Sequence, residues 1–125
     1  MVEQRKGLKP LSTMRGYKAF TDTPLEVDLW LEHYPNSLFI DTYRGLSDWL
    51  KSVKGHCKRY RKDFNKYKCA DSWYAWREMI EDKFLGKDNF LSIAICHGEE
   101  WDKLCAFLEV PVPPVEFPHA NKNGR

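Results

Sequence analysis

The sequence contains no CxxC or CxxxH pair. Its four cysteines, Cys57, Cys69, Cys96 and Cys105, are spread unevenly. Its histidines, His33, His56, His97 and His119, keep no ligand spacing with them or with one another. A zinc site is therefore not expected, and no metal is assigned. Long apolar runs are also missing. The longest, Phe90 to Cys96, is far too short to cross a bilayer, and the polar start MVEQRKGLKP has no apolar signal core. These absences exclude a membrane role and point to a cytoplasmic protein with free thiols. Nor does one charge dominate. Lys and Arg number 20 against 18 Asp and Glu, a net charge of +2, so bulk charge calls for no polyanionic partner. The generic nucleotide loop GxxxxGK[ST] is absent, and no Ser-His-Asp or Cys-His arrangement stands out.

What is present describes a folded domain. Apolar residues make up 42% and aromatics 14% of the 125 residues, enough for one domain with a core. Residues 1–20 read as a basic N-terminal arm. In TDTP, Thr21 or Thr23 can cap a helix with Pro24 in its first turn, striped by Val27, Trp30, Leu31 and Tyr34. Ser37 to Tyr43 reads as a strand. Leu46, Trp49, Leu50, Val53, Cys57 and Tyr60 recur at helical spacing, and Trp73, Trp76, Ile80 and Phe84 stripe a further helix ending at Gly86. FLSIAI is a second short strand, His97 and Gly98 turn the chain, and Trp101, Leu104, Cys105 and Leu108 mark a last helix. The tail from Val110 has four prolines and must run extended along the surface. Helix, strand, helix, helix, strand, helix implies a helix-rich α/β fold, a short parallel sheet covered by helices. Sheets usually have about four to six strands, so two leave this fold partial.

Three places can carry chemistry. In LFIDTYRGLSDWLKS, Arg44 stands at the carboxyl end of a strand, where open α/β sheets bind ligands. Ser52 lies close to two helical turns beyond Gly45, on the face rising from that loop. A guanidinium and a hydroxyl so arranged can hold a phosphate with help from helix amides. An Arg capping its loop and a Ser on a wet helix face meet the same spacing. Next is Asp22, which can act as a general base or simply cap the first helix. Last is the run 51–68, in which Lys51, Lys54, Lys58, Arg59, Arg61, Lys62, Lys66 and Lys68 interleave with Tyr60, Phe64 and Tyr67. That is a nucleic-acid pattern, and also that of a solvated helix whose aromatics pack inward.

FTDTPLEVDLWLEHYPNSLFIDTYRGLSDWLKSV resembles the middle of the P-loop sulfotransferases, where an aromatic-rich helix, a YP-x-a-k-f-I entry into a strand and R-D-x-x-x-W-x-x-S follow one another. GEEWDKLCAFLEVPVPPVEFPHANK is similar to the end of the same family, G-x-W-x-x-L-C-x-F-L-G-x-P-x-P-x-x-x-F-P-x-x-N. The chain departs from these patterns at Gly45, often Asp or Asn, and at Glu109, usually Gly.

The resemblance implies a partial P-loop NTPase-like three-layer domain over 21–125. It also implies PAPS (3′-phosphoadenosine-5′-phosphosulfate) as sulfuryl donor and a hydroxyl or amine acceptor. Arg44 and Ser52 would bind the 3′-phosphate, with Lys122 as an extra contact and Asp22 as base. The loop G-x-x-R-[ST]-G-T-x-[ST], which cradles the 5′-phosphosulfate, has no counterpart in GLKPLSTMRGY. The expectation is thus a sulfotransferase incomplete or inactive alone, completed by a second copy or a partner chain. The alternatives are a non-catalytic interaction module or pseudoenzyme, and nucleic-acid binding through 51–68.

Overall fold

A computed structural model describes residues 18–21 and 26–119. The chain divides into two compact units between Ser37 and Leu38, each described by itself. In the first, helix α1 (Val27–His33) starts from Glu26, which supplies no side-chain cap. Helix α1 thus begins later than the TDTP reading places it; Asp22, Thr23 and Pro24 of that motif lie outside the described residues. Trp30 packs against Tyr34 at 5.2 Å and Phe20 at 6.0 Å between ring centres. This is the aromatic stripe read from the spacing.

The second unit runs β1 (Phe39–Thr42), α2 (Leu46–Arg59), α3 (Lys66–Phe84), β2 (Phe90–Ile93), a 3-10 turn (Ile95–His97) and α4 (Trp101–Leu108). Its strands pair in parallel, Phe39 opposite Phe90 through Thr42 opposite Ile93. The α/β order and the short parallel sheet agree with expectation, and among the described residues the sheet has two strands. No helix of the described residues is long and apolar enough to cross a membrane.

Strand alternation puts Phe39, Asp41, Phe90 and Ser92 on one face. Helix α3 covers that face: Phe84 stacks on Phe90 at 4.3 Å and tilts against Phe39 at 5.2 Å. On the opposite face Ile93 is 1% exposed, and α4 packs on β2. Ile40 on that same face remains 43% exposed, so the cover reaches β2 and leaves β1 open. The buried core is small: Ile80, Phe84, Ile93 and Cys105 among the described residues. Each large apolar side chain so buried contributes roughly 1.5–3 kcal/mol.

Local signals explain the helix ends. Asn65 caps α3, its side chain accepting the Lys68 N–H at 3.0 Å. That cap starts α3 well before the apolar stripe around Trp73. The stripe also needs a correction: Trp76 is 51% exposed, and Arg77 takes the inward position beside Trp73, Ile80 and Phe84. Helix α4 ends in a left-handed residue, Glu109 at φ 55°. The proline tail then folds back, Trp101 donating its indole N–H to the Val115 carbonyl at 2.9 Å and meeting Phe117 edge-on. Its described residues, up to 119, run along the surface as their composition requires.

Candidate anion-binding site at the strand ends

Both strands end on the same side of the unit, and chemistry-bearing residues gather there. Asp41, on the Phe39 face of β1, is nearly buried and forms an ion pair with Arg77 of α3. Ser92 donates to the same carboxylate oxygen at 3.1 Å. The Arg77 guanidinium also lies 4.6 Å from the centre of the Tyr43 ring. A charge buried in a strand must be paired, and this one is paired from two neighbouring elements. Sequence reasoning missed the knot. Its signal was the parity of Asp41 with Phe39, which places a carboxylate on the buried face.

Beside the knot is a cleft of about 630 Å³, walled by Tyr43, Trp73 and Tyr74 and rimmed by Glu78, Glu81 and Lys103. Its basic groups are already committed, Arg77 to Asp41 and Lys103 to Glu99 at 2.8 Å. The Lys103 ammonium, and then the Ala94 amide donating at 2.6 Å, hold the Glu99 carboxyl below its usual range. With Glu78 and Glu81 added, the cleft carries surplus negative charge. It is unsuited to phosphate.

Arg44 does not line that cleft. Two residues beyond the end of β1, it points a guanidinium nitrogen at the thiol of exposed Cys96, 2.8 Å away. Among the described residues no carboxylate pairs with it, so its full charge remains available to a ligand. Gly45 follows as N-cap of α2 and offers no side-chain cap, which leaves the first amides of a 14-residue helix open. Its backbone is ordinary (φ −57°), and a Cβ there would meet His97 Nε2 at 3.5 Å, normal contact. Glycine at this position therefore leaves the helix without a side-chain cap, and a Cβ would fit the turn without reshaping it. Asp48, in the first turn of α2, lies 3.8 Å from Lys51 through one carboxylate oxygen and 4.0 Å from His97 Nε2 through the other.

Ser52 is half-buried on the second turn of α2; among the described residues no hydrogen bond links it to Arg44. Asp22 and Lys122 lie outside the described residues. His97, read from sequence as a surface turn residue, accepts the Gly45 N–H through Nε2 at 3.3 Å. Trp73 donates its indole N–H to the Arg44 carbonyl at 3.0 Å. Every basic residue of the 51–68 run is exposed; Phe64 is half-buried, whereas Tyr60 and Tyr67 are 57% and 79% exposed instead of packing inward.

An α/β unit whose Arg44 has no carboxylate partner among the described residues, beside a helix start without a side-chain cap, is a candidate for holding an anionic group at its strand ends. The family is more specific. A family model described as a sulfotransferase domain matches residues 4–84 and 60–125, two overlapping stretches that reach the last residue. The chain belongs to the sulfotransferase domain family. No curated protein and no solved structure matches it.

Proposed function

We propose that this chain binds the 3′-phosphate end of PAPS through Arg44, Ser52 and the open amides of α2, as part of sulfuryl transfer to a hydroxyl or amine acceptor. The observation that carries the reading is the Arg44 guanidinium at the end of β1, with a thiol for its neighbour and no carboxylate among the described residues. A dianionic phosphate replacing that contact gains charge-assisted bonds worth roughly 1.5–3 kcal/mol each.

In this reading residues 21–125 form a P-loop NTPase-like domain and 1–20 a basic arm. Asp22 takes the acceptor proton as the new bond to sulfur forms and the bond from sulfur to the bridging phosphate oxygen breaks. Lys122 adds a further contact to the nucleotide. The 125 residues carry no G-x-x-R-[ST]-G-T loop, so the cradle for the 5′-phosphosulfate is supplied from outside them. Catalysis of such transfers rests on positioning and charge stabilisation, and that cradle supplies much of both. Four free thiols among the described residues agree with a reducing, cytoplasmic setting.

The test is calorimetric titration with adenosine 3′,5′-bisphosphate, the desulfated donor. Arg44→Ala is expected to weaken binding by about tenfold or more, and Ser52→Ala by about threefold to tenfold. Equal affinity in the wild type and Arg44→Ala would remove the reading.

A further inference from the structure

The peptide group joining Arg44 to Gly45 has no backbone partner in the transition from strand to helix. The last sheet-side bond is donated by the Tyr43 amide to the Ile93 carbonyl, and the next is donated by the Trp49 amide to the Gly45 carbonyl. Between them the Arg44 carbonyl and the Gly45 amide would form a hinge, and glycine makes it a loose one. Two side chains close it. Trp73 of α3 donates Nε1–H to the carbonyl at 3.0 Å, and His97, ending the 3-10 turn after β2, accepts the N–H at 3.3 Å.

Carbonyl and amide belong to one planar unit. Holding it at both ends fixes the last torsion of Arg44 and the first of Gly45 together. The first sets the direction of the Arg44 side chain relative to the helix; the second sets where the open amides of α2 point. Trp73 is itself held, with its ring 6.2 Å from Tyr43 and edge-on to Tyr74 at 5.1 Å.

We propose that Trp73 and His97 are positioning residues for the 3′-phosphate site, clamping this one peptide plane so that guanidinium and helix amides converge on a single anion. Neither touches the phosphate. The inference rests on the reading of Arg44 given above and goes further in saying what aims it. A preorganised site avoids ordering cost on binding, so loosening the clamp weakens the phosphate contact specifically.

The experiment compares the affinities of the full chain for adenosine 3′,5′-bisphosphate and adenosine 5′-monophosphate, whose ratio isolates the 3′-phosphate. Trp73→Phe, which keeps an aromatic ring and loses the donor, and His97→Ala are each expected to cut the ratio about fivefold, in line with loss of a neutral hydrogen bond. The melting temperature should change by no more than a few degrees, and His97→Gln, which retains an acceptor, should restore the ratio. A general structural role would lower both affinities together and leave the ratio unchanged; that result overturns the clamp. If Arg44→Ala also leaves the ratio unchanged, the phosphate site and the clamp fall together. If Arg44→Ala abolishes it while both clamp variants keep it, only the clamp falls.

Discussion

Asp41 and Arg77 set the terms at the scale of single residues. Their side chains are 9% and 16% exposed, so each charge depends on the other for what water would have supplied. Asp41→Asn leaves the guanidinium buried without a counter-charge and should cost about 3–5 kcal/mol in urea denaturation. The double replacement Asp41→Leu with Arg77→Met should recover most of that loss, because an apolar pair needs no compensation. A loss below about 1 kcal/mol for Asp41→Asn would place the pair in the energetic class of exposed bridges. Arg44 has the opposite character: it is charged, has no carboxylate partner among the described residues, and is held at its backbone. That contrast separates the arginine that builds the unit from the one proposed as the phosphate ligand.

At the scale of elements, helix ends carry the argument. Helix α2 begins on a glycine that offers no side-chain cap, whereas α3 begins on Asn65, whose side chain accepts the Lys68 N–H. Helix α4 ends on Glu109 in the left-handed region, which glycine adopts without a Cβ penalty. An L-residue there costs about 1–2 kcal/mol, partly offset by the freedom glycine adds to the unfolded chain. Glu109→Gly should therefore stabilise by about 0.5–1 kcal/mol, read as a rise in Tm of about 2–4 °C. No rise would mean that Glu109 makes a compensating contact. Helix α3 was the element least legible beforehand. The stripe from Trp73 to Phe84 is visible in the spacing, but Asn65 lies within the basic 51–68 run, where no apolar periodicity marks a helix start.

Over the whole second unit, cover is uneven. One sheet face lies beneath α3; the other is closed by α4 only over β2 and leaves Ile40 and Leu38 exposed. Exposed apolar side chains beside an open strand edge favour association. Ile40→Thr should lower the fluorescence of a hydrophobic dye bound to the native chain while leaving Tm nearly unchanged, because Ile40 is not part of the buried core. Unaltered dye binding would show that this face is not the sticky one.

Local pattern in the sequence determined the order of helices and strands, the parallel character implied by that order, the extended tail and the position of Arg44 at a strand end. These follow from periodicity, turn residues and chain connectivity, which act over a few neighbours at a time. Only the tertiary structure decided that Arg77 faces inward in place of Trp76, that Asp41 has its partner far along the chain, and that Trp73 and His97 converge on one peptide. Contacts between residues 29 to 52 positions apart leave no periodic trace. They exist because the strands lie side by side with α3 along one face of the pair, and that arrangement comes from packing, not from any local preference.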